Sequence, residues 1–128
     1  MNKIRILIVD DSSVMRKIVE RCLRQAGIEL EQVLEAGHGG EALAHLSEQM
    51  VDLILCDINM PVMDGLEFVQ QLRATENGKT VPVVMITTEG SEAHVVQALS
   101  RGANGYIRKP FTPEQVKEHV LPVLEKKA

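Results

Sequence analysis

Five short apolar runs, each followed by a stretch with helical spacing, constrain this chain more than any other feature. Ile4, Ile6, Leu7, Ile8 and Val9 form a largely β-branched run that stops at Asp10-Asp11. Ser12-Ser13 then offers an N-cap before Val14, Ile18 and Cys22 recur at helical spacing. Gly27 closes that helix, Gln32 to Ala36 is a weaker strand, and Gly39-Gly40 opens a short helix carrying Leu43 and Leu46. Leu53 to Cys56 is a third strand; beyond a turn at Pro61 to Gly65, Leu66, Val69 and Leu72 mark the inward face of a third helix. Val83 to Ile86 makes a fourth strand, with Ala93, Val96 and Leu99 behind it on a fourth helix. Gly105 to Arg108 is a short fifth strand, and Thr112 or its neighbour caps a last helix beginning near Pro113. Pro122 removes a hydrogen bond and crowds the preceding turn, so a kink or an early end of that helix is expected there.

Strands that are apolar on both faces and alternate with amphipathic helices imply a parallel sheet covered on both sides. The chain therefore reads as α/β, a single doubly wound five-stranded parallel sheet. Its 128 residues suit one domain, residues 1–128, with enough length to bury a core without disulfides or structural metal. Eighteen acidic against fourteen basic residues give a net charge of −4, which argues against binding to nucleic acid or to an anionic membrane. Cys22 and Cys56 form no CxxC pair and lie in apolar stretches, as reduced cysteines in a cytoplasmic protein would. No apolar run approaches membrane-spanning length, and the start MNKIRILIVDD lacks the features of a signal peptide, so a cytoplasmic location is expected.

In open parallel sheets, ligands bind in the crevice at the carboxyl ends of the strands. Asp10 and Asp11 end strand one, Asp57 ends strand three within LILCDINMPVMDG, Thr87 and Thr88 end strand four, and Lys109-Pro110 ends strand five. If these strands are neighbours, three carboxylates, a hydroxyl and an ammonium converge on one cleft. A carboxylate at the end of a buried strand is costly without partners. Three of them within a few ångströms would repel by roughly 4 kcal/mol per close pair at a surface-like dielectric, so a cation is wanted. Hard oxygen ligands without His or Cys favour Mg²⁺, which takes one or two carboxylates and phosphate oxygens. Lys109 would then be a point charge for a phosphoryl group, the Thr87 hydroxyl a donor to it, and a carboxylate the acceptor; spacing leaves open which carboxylate.

Taken in order, VDD near the start, DINMPVMDG, MITT and KPF resemble the receiver domain of two-component response regulators, over essentially the whole chain. The resemblance implies a flavodoxin-like (βα)5 fold with strand order 2-1-3-4-5. It also implies Asp57 as phosphoacceptor, and Mg²⁺ held by Asp10, Asp11, Asp57 and the backbone carbonyl of Asn59. Thr87 and Lys109 would bind the phosphoryl group, with a cis Lys109-Pro110 bond, an isomer open to proline at modest cost. MRKIV, NMP and GYIRKPFT resemble the stand-alone chemotaxis type, CheY-like. That type implies Tyr106 as a switch aromatic and an output face on helix four, strand five and helix five. Asn59 and Glu89 match the pairing in regulators that dephosphorylate quickly. The implied partners are a sensor histidine kinase, an output protein such as a flagellar motor switch, and a possible phosphatase. Control of pilus motility or a place in a phosphorelay is the alternative.

Plainer readings exist for single residues. Asp10-Asp11-Ser12 is also a helix-capping turn, Lys109 alone a solvated lysine, Asp64-Gly65 a turn and cap, and Tyr106 a sheet-end aromatic. Met60 and Met63 are expected to pack their loop, and the four histidines, His38, His45, His94 and His119, have no ligand-like spacing. A flavin-binding flavodoxin would need a Ser/Thr/Gly-rich loop after strand one, where this chain has Asp-Asp. An aspartyl-phosphate phosphatase would open a DxD pattern on strand one, which Asp10-Asp11-Ser12 does not provide. The expected function is a phosphorylation-controlled module that catalyses its own phosphorylation and dephosphorylation but transforms no metabolite.

Overall fold

The computed structural model describes residues 3–88 and 92–127. Strands β1 (Ile4–Val9), β2 (Leu30–Ala36), β3 (Leu53–Asp57), β4 (Val83–Thr87) and β5 (Gly105–Arg108) alternate with five helices: α1 (Ser13–Gln25), α2 (Gly39–Glu48), α3 (Gly65–Ala74), α4 (Glu92–Ser100) and α5 (Pro113–Lys127). All strand pairs are parallel, in the order β2-β1-β3-β4-β5. The doubly wound α/β expectation, strand order included, matches what is observed. No helix among the described residues is long and apolar enough to cross a membrane.

Strand periodicity divides the core into two layers, because successive side chains point to opposite faces of the sheet. Leu7, Val9, Ile54, Cys56, Val83 and Met85 pack with α2, α3 and α4 residues on one face. Ile6, Ile8, Leu53, Leu55, Val84, Ile86 and Ile107 pack with α1 and α5 residues on the other. The central strands β1, β3 and β4 are thus buried on both sides, which is why their sequences read as unbroken apolar runs. The weaker pattern of β2 has its reason in place: it lies at the sheet edge, and Glu31 and Gln32 are exposed.

The helix ends follow local chemistry. Ser12, His38 and Asp64 each accept a hydrogen bond in the first turn of α1, α2 and α3 respectively. Thr112 and Gln115 exchange reciprocal bonds at the start of α5, a capping box. Gly27, at φ 87°, takes the left-handed conformation just past α1.

Two expectations need correction. In α4 the inward residues are Val95 and Ala98, whereas Ala93, Val96 and Leu99 face solvent. Apolar residues surround most of that helix, so its spacing fits two faces, and the face with the small Ala98 lies against the sheet layer. In α1 the helical spacing holds, with Cys22 buried beside Val19 and Leu23 while Val14 and Ile18 are exposed. Finally, of the kink or early end expected at Pro122, the early end does not occur, because α5 continues to Lys127. Pro122 and Glu118, whose carbonyl loses its helical donor, both face solvent, where water can replace the missing bond.

Candidate functional site

The strand order makes β1, β3, β4 and β5 adjacent, and their carboxyl ends gather the polar residues that the sequence singled out. Asp10, Asp11 and Asp57 each place a carboxylate oxygen within 4.8 Å of the others. Asp10 is 1% exposed and Asp57 7% exposed, while Asp11 faces solvent. The buried carboxylates are held by local donors. Asp10 Oδ1 accepts from the Ser12 N–H at 2.9 Å, and Asp57 Oδ1 accepts from the Asn59 N–H at 3.3 Å.

Lys109 reaches both from β5's end: its ammonium stands 3.4 Å from Asp10 Oδ2 and 3.5 Å from Asp57 Oδ2. The backbone supports this reach, because the Lys109 N–H donates to the Thr87 carbonyl at 2.7 Å and the Lys109–Pro110 bond is cis. Burial pushes the Asp57 carboxyl above its ordinary value, with the Asp10 charge adding to the rise and Lys109 and the Asn59 N–H opposing it. An all-oxygen set with three carboxylates and no His or Cys fits Mg²⁺ chemistry.

Thr87 is buried beside this cluster, one residue past the Asp57–Ile86 register pair. Its hydroxyl donates to the Thr88 carbonyl at 3.2 Å, along its own chain. Tyr106 lies further back on β5, half-buried against the core, with its ring centroid 5.9 Å from that of His119 on α5. Glu89 lies outside the described residues.

Gly65 lets the loop after Asp57 close tightly. A Cβ there would fall on the Asp57 carbonyl oxygen and within 2.9 Å of the Ile58 Cα. Only glycine leaves this approach open. Cys56, beneath Asp57, is fully buried, and desolvation raises its thiol well above the ordinary value, so it behaves as core.

Sequence reasoning missed a support at the end of β1. Arg16 donates to the Asp10 carbonyl at 2.6 Å and pairs through Nε with Glu35 at 2.8 Å, tying the end of β1 to β2. Its place on α1, six residues after Asp10, was the available signal. His38 and His45 also have structural roles: His38 caps α2, and His45 Nε2 lies 3.0 Å from the Glu35 carbonyl.

Comparison with known proteins gives this arrangement a family. The response regulator receiver domain family matches residues 6–121. Chemotaxis protein CheY1 of Helicobacter pylori (strain J99) is 46% identical over 121 residues, covering 94% of this chain and 96% of the relative. The structure of the chemotaxis response regulator CheY4 of Vibrio cholerae superposes with a TM-score of 0.80 at 38% identity, covering 99% of this chain and 100% of that one. The receiver domain of the sensor histidine kinase PA1611 from Pseudomonas aeruginosa has a TM-score of 0.80 at 30% identity, covering 98% and 97%; a magnesium ion is coordinated in its active-site cleft. This chain belongs to the response regulator receiver domain family, among relatives of the CheY chemotaxis type.

Proposed function

We propose that this chain, as one receiver domain over residues 1–128, is a phosphorylation switch whose Asp57 accepts a phosphoryl group from the phosphohistidine of a sensor histidine kinase. The observation that carries the proposal is the sharing of one ammonium, that of Lys109, between two buried carboxylates of a three-carboxylate cluster. Such a cleft combines an acceptor, a phosphoryl-binding cation and an oxygen-rich cation site.

Asp10, Asp11, Asp57 and the Asn59 carbonyl would hold Mg²⁺, which when bound neutralises charge on the phosphoryl oxygens. Asp57 supplies the nucleophile: a carboxylate oxygen bonds to phosphorus, the P–N bond of the donor breaks, and the electron pair leaves with the imidazole nitrogen, which gains a proton from solvent. The Asn59 N–H holds the other carboxylate oxygen in place. Lys109 moves from its two carboxylates to a phosphoryl oxygen. The Thr87 hydroxyl exchanges the Thr88 carbonyl for the phosphoryl group, and Tyr106 turns inward as it does so. The α4, β5 and α5 face then changes its affinity for an output protein. Hydrolysis of the acyl phosphate, open to a phosphatase's assistance, resets the switch, and no metabolite is transformed.

The chemotaxis names of the relatives favour a chemotaxis pathway, with a kinase of that pathway as donor and the flagellar motor switch as target in the cytoplasm. Nuclear magnetic resonance with Mg²⁺ and beryllofluoride, a phosphoryl mimic, tests the switch. Beyond those caused by Mg²⁺ alone, amide shifts spreading from Asp57 to Tyr106 and α4 are expected, and these beryllofluoride-dependent shifts should vanish in Asp57→Asn. Shifts confined to the cleft would contradict the switching part of the proposal.

A further inference from the structure

Arg16 stands where α1 gains nothing from it. It is the fourth residue of that helix, whose first turn carries no acidic residue, and the positive end of the helix dipole disfavours a cation there. Its side chain, 17% exposed, turns back toward the helix N-terminus. There Nη1 donates to the Asp10 carbonyl at 2.6 Å and Nε donates to Glu35 at 2.8 Å. Glu35 is itself oriented by Lys17, 2.9 Å from its other carboxylate oxygen. This link is not needed to join β1 to β2, because the ladder between them already runs to the strand end: the Asp10 N–H donates to the Ala36 carbonyl at 3.0 Å. A residue type that its local setting disfavours marks a requirement elsewhere.

That requirement lies in the peptide between Asp10 and Asp11. Its planarity ties the Asp10 carbonyl to the Asp11 N–H, so a donor that fixes the carbonyl also fixes the direction in which Asp11 leaves the strand. Asp10 is restrained at its other polar groups too, its N–H by Ala36 and its Oδ1 by the Ser12 N–H at 2.9 Å. The Asp11 carboxylate faces solvent yet has an oxygen within 4.8 Å of those of Asp10 and Asp57. Repulsion among the carboxylates would swing the exposed one away, and a held peptide opposes that swing. We infer that Arg16 is a positioning residue for Mg²⁺: by holding this peptide it keeps the Asp10 and Asp11 carboxylates converged on one cation, and Glu35 keeps the guanidinium in the orientation that does so. The inference rests on the reading of Asp10, Asp11 and Asp57 as Mg²⁺ ligands.

Charge and position predict opposite signs. Removing a cation beside the carboxylate cluster would by itself tighten Mg²⁺ binding, whereas releasing the peptide weakens it, and a support that merely joins two strands leaves it unchanged. Mg²⁺ titrations followed through the amide resonances of Asp57 and Asn59, on variants whose spectra show the folded state, separate these cases. Arg16→Ala should raise the Kd for Mg²⁺ about ten-fold, the lower end for loss of a partner that orients a metal ligand. Arg16→Lys keeps the charge but not the fork, and should also weaken binding, by at least about three-fold. Glu35→Ala, which removes no ligand, should weaken it by at least about three-fold, and the Arg16→Ala/Glu35→Ala double variant should bind no more weakly than Arg16→Ala. Glu35→Gln should stay within about two-fold of wild type, because its amide oxygen still accepts from Arg16 Nε. Equal or tighter Mg²⁺ binding in Arg16→Ala would overturn the inference, as would additive losses in the double variant. Should Arg16→Ala fail to fold, wild-type affinity in Arg16→Lys or Glu35→Ala would overturn it equally. No saturable Mg²⁺ binding to wild type would instead remove the metal reading of the cleft itself.

Discussion

Lys109 Nζ stands 3.5 Å from Asp57 Oδ2 while also contacting Asp10, so a single cation balances two carboxylates that are otherwise nearly removed from water. Without metal, that ammonium is the charge nearest to hand. Lys109→Ala should therefore destabilise the metal-free protein by about 2 kcal/mol at neutral pH, the scale of lost hydrogen bonds to charged groups. Millimolar Mg²⁺ should restore more stability to the mutant than to wild type, since it replaces the missing charge. Thermal melts in EDTA and in Mg²⁺ measure both effects; an equal Mg²⁺ increment in the two proteins would contradict the account.

Gly65→Ala places a methyl group on the Asp57 carbonyl, a backbone atom that cannot swing aside. A loss of about 2–3 kcal/mol is expected, the scale of forced overpacking. Urea denaturation measures it, and a mutant as stable as wild type would mean that the loop relaxes freely.

The pairs that Glu35 makes with Lys17 and Arg16 hold its carboxyl below the ordinary value of 4.5. A carboxylate whose folded value is depressed contributes stability that is present above its unfolded value and lost as pH falls through the folded one. Glu35→Gln should cost about 0.5–1 kcal/mol at pH 7, the range of partly exposed pairs, and the difference from wild type should shrink as pH falls below 4.5. A pH series of urea midpoints tests the sign: a gap that widens toward acid would contradict it.

Arg73 is partly buried and directs its guanidinium at neutral oxygens: the carbonyls of Gly102, Gly78 and Val81 and the side chain of Asn104. It joins the loop after α3 to the turn between α4 and β5. Removing it leaves several carbonyls without donors, so Arg73→Ala should cost about 2–4 kcal/mol, and Arg73→Lys should recover little because an ammonium cannot span these positions. Full rescue by Lys would mean that charge rather than the planar fork matters.

The contrast between Arg73 and Asp57 illustrates what was legible in the sequence. Asp57, Asp10 and Lys109 stood out because each interrupts or ends an apolar run, and the parallel-sheet reading sent every strand's end to one edge. Helix orientation was less legible. The apolar arc of α4 fits both the Val95–Ala98 face and the Val96–Leu99 face, and only packing against the sheet selects one. Arg16 and Arg73 depend on contacts between distant segments, which residue types alone do not carry.

The most direct test of the central claim is intact-mass spectrometry after incubation with acetyl phosphate, with and without Mg²⁺, on wild type and Asp57→Asn. The account predicts a single phosphoryl adduct on wild type that requires Mg²⁺, is released by hydroxylamine, and is absent from the mutant. Retained stoichiometric labelling of Asp57→Asn, or no adduct on wild type even when rapid quenching outruns hydrolysis, would contradict it.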